Sequence, residues 1–459
     1  MTAATSPFLG WVTRSKLEGL ESALGDPEPV REARDRAFRA FEELSVEPDP
    51  LYRGYSNISG ADLRAIDPSV PGAPVAVPVS DPSTLRIIHD ASGTRIELPS
   101  ALADAGVRVR TLPELWAEHA ADVSPAPQDK LHALALALVN RAVDLTVPDQ
   151  CAVPVRVQDI TVLSRPHEAI SVRRTIHVGT RARLLFTEEL YSTEEPGPDA
   201  QRLYGSTVTL RTSAESAAHY LTLHAPDLSA VSVYHRHGIA GTRARLAWLW
   251  AGFGGLRTKA KSLTEIPGSG AEVEDLQTFY GQGDQAYDSA VQITHQGTDT
   301  RGQSITRGVF KDQARGVSRG VVRIEKEARK TLSFLSEHAM LLSPGARSDT
   351  IPVLEILCRD VKATHSTSVA PVDPEKVFYL ESRGMTPSDA VRMIGEGFLS
   401  HVLERAPIAQ LRDALYPVLA ARWDGRPILW AGEHLPALPP LTVTDEIASE
   451  EWRFDAKLR

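Results

Sequence analysis

Cysteine is scarce: the chain of 459 residues has two, Cys151 and Cys358. They form no CxxC pair, which excludes a zinc ribbon, a thioredoxin-type redox motif and a self-contained iron–sulfur site. The same scarcity fits a reducing compartment, so a cytoplasmic protein is expected. No apolar run reaches the ~18 residues of a membrane span. The opening MTAATSPFLGWVTRSKLEGLESALG lacks a basic stretch followed by an apolar one, so no secretion signal is expected. Positive charge is in the minority, with 50 Lys and Arg against 59 Asp and Glu and a net charge of −9. That speaks against non-specific binding of nucleic-acid phosphates, which needs basic patches. Neither HExxH nor a Walker A sequence occurs among the 14 histidines and the glycine-rich stretches. A GxSxG match exists at Gly316–Gly320, GVSRG, but strand-like VVRI follows it where a nucleophile elbow needs a helix.

What is present is ordinary globular composition, 42% apolar and 24% charged. At ~100–200 residues per domain, the length allows two or three domains or one elongated one. Residues 1–146 read as a mostly helical region. In DPEPVREARDRAFRAFEEL, Asp26 is the expected cap and Pro27 the first helical residue, with Val30, Ala33, Ala37, Phe41 and Leu44 on one face. SVEPDPLYRGYSN breaks that helix, and the proline-rich DPSVPGAPVAVPVSDP reads as loop or edge strand. DKLHALALALVNRAVDL reads as a further helix.

From about Val147 to Val372 the texture changes to short alternating runs: VPVRVQDITVL, ISVRRTIHVG, STVTLRT, AVSVYHRHG. GTRARL occurs at Gly179–Leu184 and again at Gly241–Leu246. Recurring small-residue corners between short strands, without helices between them, point to a β-solenoid that stacks coil on coil. A sandwich is the alternative, weakened by the lack of two-residue hairpin turns.

After Val372 helices return. Asp373 caps, Pro374 follows, and PEKVFYLESR stops at Gly384. A second helix starts at Thr386–Pro387, with Ala390, Val391, Ile394, Phe398, Val402 and Leu403 at helical spacing. A third covers IAQLRDALYPVLAARW, with a kink expected at Pro417. The expected divisions are thus a helical region to 146, a solenoid over 147–372, a helical module over 373–424 and an irregular extension over 425–459.

The junction carries the most specific signal. RGVVRIEKEARKT, then LLSPGARSDTIPVLEILCRDVKATHSTSV, then DPEKVFYLESRGMTPSDAVRMIGEGFL form an ordered string that resembles the SufB/SufD family of iron–sulfur cluster assembly proteins. The matching positions include Gly320, Lys330, Thr331, Asp349, Pro352, Leu354, Glu355, Asp360, His365, the run Phe378 to Leu380, Ser382 to Gly384, and Phe398. SufB-type chains carry an acceptor cysteine on a late coil and a glutamate after the matching histidine. Here HAMLLSPGARSD has no cysteine and Ser366 follows His365, so the chain resembles SufD. The family's SHGAT is THSTS here, and the glycine that follows it is Ala370.

The resemblance implies a right-handed parallel β-helix core. It implies a non-catalytic partner of a SufB-type scaffold, with His365 offered across their interface to a transient, shared iron–sulfur cluster. It implies that the C-terminal helices, through Phe378, Tyr379, Arg383, Gly384 and Phe398, dock the ATPase SufC. A repurposed metal-dependent or sulfur-transfer enzyme is the second reading. Homodimerisation through an open solenoid edge is a further expectation, and no motif argues for a flavin.

Each candidate has a plainer reading. A strand histidine such as His365 is commonly just solvated, although a neutral imidazole is a competent iron ligand when thiolates come from elsewhere. Thr364, Ser366 and Thr367 are placed to orient it. Cys358 is a soft-ligand candidate, or a small buried hydrophobe; Cys151 reads as structural. His235 and His237 share a strand face that reads as solvated. His295 and His338 stay open. Phe378, Tyr379, Leu380 and Phe398 read as core of the helical module, and RTKAKS after Leu256 as a solvated turn.

Overall fold

The computed structural model describes residues 10–50, 52–53, 55, 58–77, 82–117, 126–194, 200–406 and 409–430. The chain starts with α1 (Arg14–Leu24) and α2 (Glu28–Glu43). Then come β1 (Leu85–Asp90), β2 (Gly93–Glu97), α3 (Ser100–Asp104), β3 (Arg108–Thr111), α4 (Leu112–Ala117), α5 (Lys130–Ala137) and β4 (Arg141–Val147). Fifteen strands follow: β5 (Val155–Leu163), β6 (Ala169–Val178), β7 (Arg183–Ser192), β8 (Arg202–Thr212), β9 (Ala217–His224), β10 (Ala230–Ala240), β11 (Arg245–Gly252), β12 (Arg257–Ile266), β13 (Glu272–Gly281), β14 (Ala286–His295), β15 (Arg301–Phe310), β16 (Arg315–Ile324), β17 (Thr331–Leu341), β18 (Arg347–Ile356) and β19 (Val361–Pro371). The chain closes with α6 (Pro374–Ser382), α7 (Pro387–Leu403) and α8 (Ala409–Trp423).

Successive strands alternate between two sheets, ordered β19-β17-β15-β13-β11-β9-β7-β5-β1-β2 and β18-β16-β14-β12-β10-β8-β6-β4-β3. Each strand from β6 on pairs in parallel with the strand two before it, as Glu337 of β17 does with Thr306 of β15. The result is a parallel β-solenoid, in which one coil is one strand in each sheet. Antiparallel pairing of β2 on β1 and of β3 on β4 closes one end. The other end is open: β18 and β19 have a neighbour on one side only, among the described residues.

The echo GTRARL is a corner. A Cβ on Gly179 would lie 2.5 Å from the Asp149 nitrogen, and one on Gly241 2.6 Å from the Thr212 carbonyl oxygen. Glycine is required there because the corner backbones of successive coils touch. Two residues on, Arg181 and Arg243 turn the chain through the left-handed region, at φ 59° and 54°. Glu215 occupies the same corner between them and pairs with both, at 2.7 Å to Arg181.

Both faces of the solenoid wall are covered over much of its length, so strands such as β5 are buried at every residue. Outside, Leu131, Leu134 and Leu138 with Phe38 and Phe41 cover one sheet, while Leu399, Val402, Leu415 and Leu419 cover the other. Inside, Phe186 stacks on Tyr220 at 4.7 Å, beside Trp248. The lumen also holds charge. Arg174 lies 2.7 Å from Asp159 and 3.1 Å from Glu188, and all three are fully buried. Glu188 accepts further hydrogen bonds from Tyr204, Ser206, Tyr220 and Thr222. Burial by itself raises the Asp159 carboxyl, but Arg174 and His89 outweigh it and hold the group well below the usual carboxylate range.

Several local expectations are corrected. DKLHALALALVNRAVDL is helix only to Ala137; from Arg141 it is β4, because the Leu/Ala alternation gives way to an in–out pattern that pairs with β6. Parallel pairing is therefore under way before residue 147, and β1 already pairs with β5. Pro27, not Asp26, holds the cap position of α2; the buried Arg34 takes the Asp26 carboxylate at 2.5 Å instead. RTKAKS is no turn but the start of β12, and Lys259 is buried against Glu47 and Asp288 at 3.3 and 3.0 Å. Of the expected extension over 425–459, residues 431–459 lie outside the described residues; Trp430 donates to the Ala76 carbonyl at 2.8 Å and packs on Tyr191.

Candidate functional site

The open end of the solenoid is where the sequence signal and the geometry meet. Most of β19 is exposed, as one coil without a successor must be. In register, His365 lies beside Leu335, Ser366 beside Ser336 and Thr367 beside Glu337. Leu335 is buried in the inner cluster, so His365 and Thr367 share the inward face of the last coil. The His365 side chain is exposed, and the ring has no hydrogen-bond or ionic partner among the described residues.

The expected supports do not reach it. Ser366 Oγ lies 3.3 Å from Nε2 of His338, and Ser368 Oγ meets Nδ1 of the same ring. Both serines stand on the outward face, one position out of phase with His365. Cys358 follows β18 and is 8% exposed, packed with Val322, Ile324, Ala328 and Leu335. Its surroundings are those of a small apolar core residue. Cys151 packs on the apolar cluster nearer the closed end.

A residue absent from the sequence reading lies beneath the rim. Glu337 of β17 is 1% exposed and accepts from Ser318 Oγ across the lumen. Its other carboxyl oxygen, Oε2, is buried without a partner. Burial raises this carboxyl to about 7, the Ser318 hydrogen bond offsetting only part of the effect. The two-residue alternation of TLSFLSEHAML was the available signal, for it puts Glu337 on the same face as Thr331, Ser333, Leu335 and Ala339. Gly320, one of the family-string positions, faces Leu335; a Cβ on it would lie 2.4 Å from Leu335 Cδ1.

The other histidines are accounted for locally. His235 is buried rather than solvated, because α5 covers its strand face: its ring stacks on His132 at 3.6 Å with planes 5° apart. His237 lies 2.9 Å from Glu265. His295 bonds Thr300 at 2.8 Å and Ser333 at 3.3 Å. Among the described residues no group of three or more His, Cys, Asp and Glu is placed to hold a metal ion.

Beyond β19, Asp373 caps α6 by accepting from the Glu375 amide, and Gly384 ends it at φ 94°. Thr386 caps α7 through the Asp389 amide. The core reading of α6 is overturned: it buries no residue, Phe378 is 71% exposed and Tyr379 55% exposed. Arg383 lies over the Tyr379 ring at 5.2 Å. Phe398 differs, since it packs against the solenoid wall with Arg307 5.7 Å from its ring. The terminal module is anchored by Arg405, which pairs with Glu274 of β13.

Comparison with known proteins agrees with this geometry. Residues 161–398, over half of the chain, match the family model described as SUF system FeS cluster assembly, SufBD core domain. The chain is 27% identical over 424 residues to the iron-sulfur cluster assembly protein SufD of Bacillus subtilis (strain 168), covering 89% of this chain and 93% of that protein. It is 22% identical over 309 residues to an iron-sulfur cluster assembly SufBD family protein of Staphylococcus saprophyticus, covering 66% of this chain and 65% of the relative. A SufBD family protein of Mycobacterium tuberculosis (strain ATCC 25618 / H37Rv) is 25% identical over 206 residues, 45% of this chain and 24% of that protein. No helix among the described residues is long and apolar enough to cross a membrane.

Proposed function

The chain belongs to the SufB/SufD family of iron–sulfur cluster assembly proteins and resembles SufD, and from that membership we propose that it is the non-catalytic partner of a SufB-type scaffold. The observation that carries the reading is His365, an exposed inward-facing imidazole without a partner among the described residues, on the last strand of an open-ended solenoid. The free edges of β18 and β19 are templates for strands of a second solenoid, since unpaired N–H and C=O groups seek partners. A scaffold docked there brings its own thiolates to the rim, and His365 completes the ligand set of a cluster that the two chains share. The cluster is cargo, so His365 holds it without keeping it. Cys358, buried among apolar residues, takes no part as a ligand.

α6 and the start of α7 dock the ATPase. The exposed Phe378 and Tyr379, with Arg383 over the ring, supply an apolar contact with one charge, and Gly384 and Phe398 hold the helix pair in place. Nucleotide hydrolysis belongs to that partner, and the complex works in the cytoplasm. Co-expression with the cognate scaffold and ATPase, followed by affinity purification, tests the proposal. A stable three-component complex that accumulates an iron–sulfur chromophore is expected. Recovery of this chain alone, with the other two subunits free in the flow-through, would sink it.

A further inference from the structure

The stacked histidines beneath α5 have no part in the cluster-partner reading. His132 stands in the first turn of α5 and His235 on the outward face of β10, and both are buried. Among the described residues, one of their four ring nitrogens has a partner. His132 Nδ1 accepts from the Gln128 amide at 3.3 Å, and the other three nitrogens are buried without one. The contact sits at a joint. The Lys130 amide donates to the Ser45 carbonyl at 3.0 Å, and Lys130 Nζ donates to the Phe41 carbonyl, so the first turn of α5 holds the end of α2. Leu131 and Leu134 press the same layer onto Leu203 and Val233 of the solenoid wall. The charged groups around the pair do not favour a proton on it. α5 presents Asp129, which accepts from the His132 amide. β12 presents Lys261, beside His235 in register and 3.6 Å from Asp129. His237, two residues along β10, lies 2.9 Å from Glu265. β8 presents the neutral Thr207 in register, and β6 beyond it presents Arg173. α2 presents Arg34, paired with Asp26. After α2, Glu47 pairs with Lys259 and Arg319, which also pair with Asp288. A proton on either ring thus meets Asp129, a carboxylate already shared with Lys261. It also stands against the second imidazole and, on His132, against the positive end of α5.

We propose that the His132–His235 stack is an acid-released latch: it holds α5 and the end of α2 on the solenoid while both rings are neutral, and frees them when both are protonated. The open form takes up protons from about pH 6.5 downward and the closed form excludes them, so opening becomes easier as pH falls. Two protons enter per opening, which makes the response steeper than that of a single histidine. Opening bares Leu203, Val231 and Val233, the apolar residues that this layer covers. The latch lies on the wall of the solenoid, away from its open end, and does not rest on the scaffold and ATPase reading.

The test is amide hydrogen–deuterium exchange of the purified full chain at about pH 7 and about pH 5.5, corrected for the intrinsic effect of pH on exchange. Two imidazoles of ordinary value in the open form predict that protection of the α5 amides falls about seventyfold, about eightfold for each histidine. His132→Phe keeps a ring on His235 and is expected to cut the fall to about eightfold. His132→Phe combined with His235→Phe is expected to abolish it. His237→Gln, outside the stack, is expected to leave the wild-type fall in place. Strand β14 is expected to exchange more slowly than α5 at both pH values. Protection of α5 that does not change with pH in the wild type overturns the latch, as does a fall that persists in the double variant. Equal protection of α5 and β14 overturns it too, since the whole molecule would then open at once.

Discussion

His132 on α5 and His235 on β10 stack face to face, with ring centroids 3.6 Å apart and planes within 5°. Two charged imidazoles cannot share that contact, so the pair requires neutrality. Burial lowers His132 to about 4, and it lowers His235 well below its ordinary value, with His132, Lys261 and His237 adding to the shift. Asp129 pulls His132 the other way but does not prevail. The unfolded chain takes up these protons from about pH 6.5 downward while the folded one does not, so folding stability falls with falling pH. Between pH 6.5 and 5 each histidine is expected to cost about 2 kcal/mol. Urea melts at the two pH values measure this, and His132→Phe, which keeps a ring on His235, should flatten the dependence. An unchanged pH slope in that variant would contradict the account.

Glu337 carries the opposite sign. Its folded-state value of about 7 lies above that of an exposed carboxyl. The stability linked to its neutral form is complete below about pH 4.5 and is lost as pH rises through 7, at most about 3 kcal/mol. Glu337→Gln should therefore melt higher than wild type at pH 8 and nearly equally at pH 4.5. Equal melting at both pH values would show that the carboxyl is not desolvated.

The lumen ion cluster is predicted to be intolerant of half-removal. Arg174→Met leaves Asp159 and Glu188 buried without their cation and should cost about 3–5 kcal/mol. Circular dichroism melts of that variant should fall far more than those of Arg181→Met, whose partner Glu215 stands on an exposed corner.

Corner and helix glycines should separate cleanly. Gly241→Ala drives a methyl into the backbone of the preceding coil and is expected to cost about 1–3 kcal/mol. Gly397→Ala in α7 meets nothing within 4 Å and should stabilise by up to ~1 kcal/mol. A pair of thermal melts decides between these signs.

His365→Ala and Phe378→Ser should leave the isolated chain's melting temperature almost unchanged, within ~0.5 kcal/mol, because both side chains are exposed. Their effects belong to complexes. The first should lower cluster content without releasing the scaffold, and the second should weaken retention of the ATPase. A large loss of stability in either would mean that these residues serve the fold instead.

The solenoid was legible because its period is local: GTRARL recurs where a corner recurs, and Gly179 and Gly241 are demanded by backbone contact between coils. The caps Asp373 and Thr386 were legible for the same reason, each being settled within one turn. β4 was misread because eight residues of helix and seven of strand share one apolar stretch, and only pairing with β6 divides them. RTKAKS was misread because its lysine is buried by Glu47, 212 residues away in the chain.

The sequence by itself determined the family, the coiled parallel architecture and the place of His365 near its end, since each of these is written in short-range order. Tertiary structure alone decided which side chains the end exposes. Among the described residues, Phe378 is bare because α6 buries nothing, and His365 is bare because no strand pairs beyond β19. It also decided that Glu337 lies in the lumen one coil beneath that rim, for burial and register arise only when distant coils stack.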